Sequence, residues 1–196
     1  MTYKLPFAKR LARTLIVPVF RGLFNLISHI EIRGLENIPE KGAYLIAFNH
    51  VSLFDPPILA SFWPTTPEAL GANEIWKRQG QGILVYLYGA VPVRRGEVDR
   101  AAMSQLLDIL RSGKPLLVSP EGRRSHQPGL QQARPGVVYL IERTGAPVLP
   151  VGIVGTTDDF LTRALRGKRP RVTITIGQQF HLPELEQQAT RLAALD

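Results

Sequence analysis

Short apolar segments alternate with helical patterns along most of the chain, and this alternation constrains the fold more than any other feature. The predicted strands, rich in Val, Leu, Ile and Ala, cover residues 44–48, 69–72, 90–93, 116–119, 148–154 and 172–176. The predicted helices cover residues 56–62, 83–88, 98–110 and 136–143, and a polar helix is predicted to begin at Pro183. Strands that alternate with helices in this way predict a single α/β domain, with a mostly parallel or mixed central sheet flanked by helices.

The predicted domain covers residues 31–196, because no long linker, repeat or low-complexity segment interrupts this part of the chain. The whole length of 196 residues allows one well-buried core. Hydrophobic residues make up 44% and charged residues 20%, which is typical of a folded globular protein. Cysteine is absent, and this excludes disulfides, thiol nucleophiles and thiolate metal sites.

Residues 1–30 have a different pattern, which predicts an amphipathic, basic helix before the domain. Apolar side chains recur at spacings of three or four, and every charged residue before Glu31 is a cation. These cations are Lys4, Lys9, Arg10, Arg13 and Arg21. Two interpretations stay open: the helix covers the core, or it lies in a membrane interface with its cations near lipid phosphates. Charges interrupt the apolar run, so no membrane-spanning helix is predicted. A secretory signal is not predicted either, because no small-residue cleavage site follows the apolar segment.

The charge balance of the whole chain predicts an anionic partner. The formal net charge is +8 and the isoelectric point is near 10.2. Acidic lipid headgroups and phosphorylated substrates would suit this charge. Nucleic acid is also an anion, but no nucleic-acid-binding motif or aromatic platform accompanies the cations, so no nucleic-acid partner is predicted.

A histidine and an aspartate lie five residues apart where the first predicted strand of the domain ends. His50 follows this strand, and Asp55 precedes Pro56 and Pro57, so Asp55 is predicted to cap a helix that begins at Pro56. A carboxylate has spare acceptor capacity, so Asp55 could also bond the imidazole and leave its other nitrogen as a general base. No Gly-x-Ser-x-Gly motif supplies a nucleophile, and this favours activation of a hydroxyl group on the substrate.

Two arginine-rich segments also follow predicted strands. The segment from Glu121 to Ser125 comes after strand 116–119, with Gly122 allowing a tight backbone path, and Arg94 and Arg95 end strand 90–93. Guanidinium groups suit phosphate, and parallel neighbouring strands would bring His50 and these arginines to one edge of the sheet. Metal binding is not predicted, because the four histidines have no ligand-like spacing.

In this order, these segments resemble the glycerolipid acyltransferase family, typified by the 1-acylglycerol-3-phosphate (lysophosphatidate) acyltransferases. The resemblance extends from about residue 32 to residue 154. The matching blocks are Asn49-His50-x-x-x-x-Asp55, Gly89 to Val93 with Arg95, Glu121-Gly122-Arg123-Arg124-Ser125, Arg134-Pro135-Gly136, and Val148-Leu149-Pro150-Val151. Each block is weak alone, but the ordered set is specific.

The resemblance implies transfer of a fatty acyl group from acyl-CoA or acyl-carrier protein to the free hydroxyl of lysophosphatidate, without a cofactor. It implies that His50 is the general base and that Asp55 orients it. Arg124 would be the principal phosphate contact, Arg95 a second one, and Glu121 and Gly122 would shape the loop. The enzyme would then work at the cytoplasmic face of the cell membrane, as a peripheral or monotopic protein in contact with anionic lipids.

Two departures from the family pattern bear on the acceptor. Arg123 stands where the family often has threonine, and Asn73 stands where many members have lysine. Arg123 is therefore included among the predicted substrate-binding residues, and a different lysophospholipid or an amino-lipid stays open as the acceptor. A hypothesis from another class is a non-catalytic module that binds anionic lipid, which would explain the charge but not the paired His50 and Asp55.

Overall fold

The computed structural model describes residues 3–96, 99–125 and 130–182. The helices are α1 (Phe7–Ile27), α2 (Asp55–Phe62), α3 (Gln81–Tyr88), α4 (Arg100–Arg111), α5 (Pro135–Thr144) and α6 (Phe160–Leu165), with short 3-10 turns at Leu35–Asn37 and Asn73–Lys77. The strands are β1 (His29–Arg33), β2 (Leu45–Phe48), β3 (Glu68–Ala72), β4 (Val91–Val93), β5 (Leu116–Val118), β6 (Val148–Val154) and β7 (Arg171–Ile176). The helix predicted to begin at Pro183 lies outside the described residues.

One seven-stranded sheet organises the fold, in the order β1-β7-β6-β2-β5-β3-β4. Every neighbouring pair is parallel except β6 and β7, which run antiparallel. The prediction of a mostly parallel or mixed α/β sheet is therefore confirmed. β2 lies in the middle, between β6 and β5, so the segments that follow β2 and β5 leave the sheet at the same edge.

Two hydrophobic layers cover the faces of the sheet, and β2 shows how the chain supplies both. Ile46 and Phe48 point into the layer formed with α1 and α2, whereas Leu45 and Ala47 face the layer formed with α4 and α5. Because β2 is buried by apolar layers on both faces, its sequence is a continuous apolar run, as is typical of central parallel strands.

One strand and one α-helix among the described residues were not predicted. β1 is an edge strand in which charged residues alternate with Ile30 and Ile32, and it crosses the boundary predicted between residues 30 and 31. Because charged or polar residues alternate with the isoleucines, β1 contains no apolar run, which is the pattern by which the other strands were predicted. The other is α6, whose six residues are too few to show a helical period.

The first helix packs on α2 and α3 through its inner face, where Phe24 is buried and Phe20 packs beside it. Its outer face carries an apolar stripe with exposed fractions of 46–73%. The stripe consists of Phe7, Leu11, Leu15, Val19, Leu23 and Leu26. Both interpretations of the predicted helix therefore have structural support, because one face covers the core and the other stays uncovered. Within the described residues, no helix is long and apolar enough to cross a membrane.

Candidate active site

The chain turns sharply after β2 and returns Asp55 to His50. Asp55 Oδ2 lies 3.0 Å from His50 Nδ1 and also accepts hydrogen bonds from the Val51 N–H (2.8 Å) and the Ser52 N–H (2.7 Å). The Asp55 side chain is fully buried, while the imidazole keeps 14% of its surface exposed. An acceptor at this distance places the imidazole proton on Nδ1, so Nε2 keeps the lone pair that can take a proton from a substrate.

The prediction that Asp55 caps α2 is wrong. Asp55 is the first residue of the helix, Phe54 is the N-cap, and the carboxylate accepts no hydrogen bond from the amino-terminal turn of α2. The reason lies in the two prolines, because Pro56 and Pro57 have no N–H to donate, and the Ile58 N–H already bonds the Phe54 carbonyl. The carboxylate therefore turns back to the N–H groups of the preceding turn and to the imidazole.

A third element also holds Asp55, through a contact that no residue pattern predicts. Thr156 follows β6, is fully buried, and donates its hydroxyl to Asp55 Oδ1 at 2.5 Å. With this bond, both carboxylate oxygens are held, one by three donors and the other by Thr156. The two residues are 101 positions apart in the chain, so no local pattern points to the contact. The only indirect signal is that Thr156 follows a strand of the same sheet.

Asn49 fixes the backbone from which His50 projects. Its amide donates to the Ile153 carbonyl at 3.0 Å, and its side-chain oxygen accepts from the Ile153 N–H at 2.7 Å. The two bonds bind the end of β2 to β6, which extends beyond it. Asn49 is therefore a positioning residue, which explains why asparagine precedes the histidine here.

The segment after β5 lies directly against His50. β5 is a parallel neighbour of β2, which confirms the arrangement on which the predicted shared site depends. The Ser125 N–H donates to the His50 carbonyl at 2.7 Å. Gly122 has a φ of +67°, a conformation that favours glycine, and its N–H bonds the Ser119 carbonyl at 3.0 Å. This turn returns the chain to His50 within a few residues of the end of β5.

Glu121 faces inward from this turn, where its side chain is buried. Its Oε1 accepts from the Gln131 N–H at 3.1 Å, which joins the loop to the segment before α5. Its Oε2 and the nearby Ser119 hydroxyl are buried without a hydrogen-bond partner in the described part of the chain. Buried polar atoms of this kind are rare and often mark a place where a ligand or water binds.

The predicted phosphate-binding arginines lie at the same edge of the sheet but not at the same distance from His50. Arg124 is half-buried and Arg123 is exposed, both in the segment whose next residue touches His50. Arg95 is exposed beyond β4, three strands from β2, which corresponds to about 14 Å at the usual strand spacing. None of the three makes an ion pair with a residue in the ranges that the structure describes, so their charge is available for an anion.

Asp99 stabilises the turn that carries Arg95. Its carboxylate accepts from the Ala102 N–H and the Arg94 N–H, each at 3.1 Å, and so caps α4. The hydrogen bond from Ala102, followed by that from Arg94, holds the pKa of Asp99 below its usual value. The described residues include no group of three or more His, Cys, Asp or Glu side chains placed to hold a metal ion.

The geometry can be compared with known proteins. The family model described as "Acyltransferase" matches residues 29–154. A 1-acyl-sn-glycerol-3-phosphate acyltransferase of Borreliella burgdorferi is 25% identical over 134 residues, which cover 67% of this chain and 54% of that protein. The 1-acyl-sn-glycerol-3-phosphate acyltransferase of Pseudomonas aeruginosa is 28% identical, over 77% of this chain and 59% of its own length. This chain thus spans little more than half the length of these two relatives.

Two further matches cover more of both proteins. A lyso-ornithine lipid O-acyltransferase of Pseudomonas aeruginosa is 28% identical over 188 residues, which cover 83% of this chain and 72% of that protein. The crystal structure of the 1-acyl-sn-glycerophosphate acyltransferase PlsC from Thermotoga maritima covers 94% of this chain and 77% of its own, with a TM-score of 0.69 and 24% identity. At this level of identity, the structural match supports the fold alone.

Proposed function

This chain belongs to the acyltransferase family, and we propose that it transfers a fatty acyl group from an acyl thioester to the free hydroxyl of lysophosphatidate, forming phosphatidate. The observation that carries the proposal is the His50–Asp55 pair, with a fully buried carboxylate 3.0 Å from Nδ1 and cations in the neighbouring loop. The relatives named as 1-acyl-sn-glycerol-3-phosphate acyltransferases support this acceptor.

The chemistry requires one base and no protein nucleophile. His50 Nε2 takes the proton of the lysophosphatidate hydroxyl as its oxygen attacks the thioester carbonyl carbon. The tetrahedral intermediate then collapses, the carbon–sulfur bond breaks, and the thiolate of CoA or acyl-carrier protein leaves with the proton from His50. Asp55 stabilises the imidazolium that exists between these two steps, and Thr156, Val51 and Ser52 hold Asp55 in place.

The arginines supply the charge that a phosphate monoester requires. Arg124 is the proposed main contact, because it adjoins the residue that bonds His50, and Arg123 and Arg95 add positive charge at the same edge. Glu121 and Gly122 fix the conformation of this loop rather than contact the phosphate, Glu121 through its bond to the Gln131 N–H and Gly122 through its positive φ. A carboxylate in direct contact would repel the phosphate, and Glu121 points into the buried side of the turn.

Thiol release from palmitoyl-CoA in the presence of lysophosphatidate tests the proposal, with acyl-carrier protein thioester as a second donor. We expect His50→Ala to lower kcat by at least about a hundredfold, as loss of a general base does. His29→Ala is the matched control, since His29 is exposed in the edge strand β1, and we expect it to keep full activity. Equal thiol release by the wild type and His50→Ala would contradict the catalytic mechanism.

An amino-lipid acceptor is a second candidate, and one observation favours it. Of the three relatives compared above by sequence, the lyso-ornithine lipid O-acyltransferase aligns with the largest part of this chain, 83%. Asn73, where many family members have lysine, is exposed directly after β3. Rates with lysophosphatidate and lyso-ornithine lipid at equal concentrations would distinguish the two acceptors. A higher kcat/KM for lyso-ornithine lipid would favour the amino-lipid over lysophosphatidate as the acceptor.

The membrane surface completes the proposal, with the enzyme as a peripheral or monotopic protein on the cytoplasmic face. The stripe of α1 is exposed, and α3, which packs against α1, also exposes apolar side chains: Ile83 is 64% exposed and Tyr86 is 58% exposed. An apolar patch of this kind beside basic residues is typical of an interfacial helix on anionic lipid. Lysophosphatidate carries an acyl chain that anchors it in the bilayer, so a protein lying on the bilayer would reach its acceptor there.

A further inference from the structure

A groove with a volume of about 740 Å³ lies along α1, at the edge of the sheet where β3 and β5 begin. Its lining includes Arg10, Thr14 and Val17 of α1, Glu68 at the start of β3, and Lys114 before β5. We refer to it as the amino-edge groove. The active-site segments leave the opposite edge of the sheet, and the five residues of β3 place the two edges roughly 13 Å apart. The groove is therefore separate from the site around His50.

Cations outnumber carboxylates in the lining of the amino-edge groove. Arg13 and Glu68 form a buried two-pronged ion pair in its wall, with N–O distances of 2.6 and 3.1 Å, so the carboxylate is already neutralised. Three further cations, Lys4, Arg10 and Lys114, line the groove and are exposed. They make no ion pair within the described ranges of the chain. A groove with this excess of positive charge favours a phosphate or another compact anion.

Its position on α1 identifies the source of that anion. Arg10 lies three residues after Phe7, and Thr14 lies three residues after Leu11, so the groove and the stripe occupy adjacent faces of one helix. Apolar atoms of Leu5, Val17 and Pro18 also line the groove. A helix whose stripe enters the acyl-chain region would hold the neighbouring cations at headgroup depth.

We propose that the amino-edge groove binds the phosphate headgroup of one anionic phospholipid, as an accessory lipid site distinct from the catalytic centre. Lys4, Arg10 and Lys114 contact the phosphate, and Val17 and Pro18 contact the first part of an acyl chain. The assignment to a lipid rests on the membrane placement in the proposed function, whereas the charge of the groove does not depend on it. A headgroup bound there would fix the orientation of α1 on the bilayer.

The test uses the full chain and dihexanoyl phosphatidylglycerol below its micelle concentration, so that a single lipid is the ligand. Amide chemical shifts of Thr14 and Thr66, which line the groove, report binding and give Kd. We expect saturable shifts and a Kd raised at least about tenfold by the double substitution Lys4→Gln/Lys114→Gln. The double substitution Arg166→Gln/Lys168→Gln removes the same charge from an exposed surface elsewhere, and we expect no change.

Other outcomes would overturn the assignment. If both double variants bind equally, the interaction is general electrostatics; if inorganic phosphate binds as tightly as the lipid, the ligand is a free anion. If dihexanoyl phosphatidylcholine binds as tightly, headgroup charge is not recognised.

Thiol release from detergent-dispersed substrates separates this proposal from the catalytic one. We expect Lys4→Gln/Lys114→Gln to keep kcat, whereas His50→Ala loses kcat and keeps lipid binding.

Discussion

At the scale of single residues, the central feature is one carboxylate with four hydrogen-bond donors. Asp55 receives the His50 imidazole and two backbone N–H groups on one oxygen and the Thr156 hydroxyl on the other. A buried carboxylate is costly unless its lone pairs are satisfied, and these donors meet that requirement while leaving His50 at the surface of the site. The same bonds fix the direction of the imidazole.

Thr156→Val tests this arrangement because it keeps the shape and removes the hydroxyl. We expect kcat to fall about tenfold, equivalent to about 1.4 kcal/mol, with KM nearly unchanged, since the fully buried Thr156 cannot touch substrate. The Nδ1 proton resonance of His50 should also shift. Steady-state kinetics and proton NMR measure both effects.

Thr156→Ser is the matched control, because it restores the hydroxyl while removing a methyl group. We expect it to recover most of kcat. A purely structural role for Thr156 would instead lower thermal stability in both variants while kcat and the imidazole resonance stayed at wild-type values.

At the scale of elements, α1 is joined to the sheet by a buried ion pair as well as by apolar contacts. The Arg13 guanidinium bonds Glu68 through two nitrogens and stacks over the Tyr88 ring at 4.4 Å, while its Nε donates to the Tyr88 carbonyl. The Tyr3 hydroxyl adds a bond to Glu68 at 3.0 Å, and burial, followed by the Glu68 charge, raises the pKa of Tyr3. Arg13 is thus a structural cation within a helix whose other cations are mostly exposed.

Removing Arg13 should therefore cost far more stability than removing a neighbouring cation. We expect Arg13→Met to lower the free energy of unfolding by about 3–5 kcal/mol, because it leaves Glu68 buried and unpaired. Arg10→Met, one turn away and exposed, is the control and should change it by less than about 1 kcal/mol. Urea denaturation measures both.

The double variant Arg13→Met/Glu68→Met separates the pair from the packing around it. Replacing both charges with apolar side chains should recover most of the stability, because no buried charge is left. A double variant no more stable than Arg13→Met alone would mean that the contacts of Arg13 with Tyr88, rather than the ion pair, hold the helix.

At the scale of the whole molecule, a net charge of +8 is combined with the exposed apolar stripe of α1. We expect binding to phosphatidylglycerol vesicles to weaken as salt rises, since added ions screen exposed charges beyond about 10 Å at 0.1 M. Leu15→Ser/Val19→Ser should lower the bound fraction at every salt concentration, because it removes apolar area from the stripe. Vesicle sedimentation measures both effects.

Leu165→Ser is the control for the stripe, because Leu165 is 78% exposed in α6, an element outside the stripe. We expect it to bind vesicles like the wild type. Equal sedimentation of Leu15→Ser/Val19→Ser and Leu165→Ser would mean that α1 is not part of the membrane-binding surface. The catalytic proposal does not depend on this result.

The sequence by itself determined the features that depend on neighbours in the chain. Apolar periodicity identified most strands and helices, and the spacing from His50 to Asp55 allowed a contact that a single turn can close. It misjudged the cap at Asp55, because the donors that a cap needs are absent where two prolines follow. It missed β1, because an edge strand with alternating charges has no apolar run.

Only the tertiary structure decided which distant residues meet. Thr156 reaches Asp55 and Asn49 reaches Ile153 because β6 lies beside β2, and Ser125 reaches His50 because β5 lies on the other side. Arg13 likewise finds Glu68 across 55 positions of the chain. A residue pattern indicates the period of each helix or strand, but it does not indicate the spatial order of the strands in the sheet. That order is set by how all the apolar faces pack together, and the site depends on it.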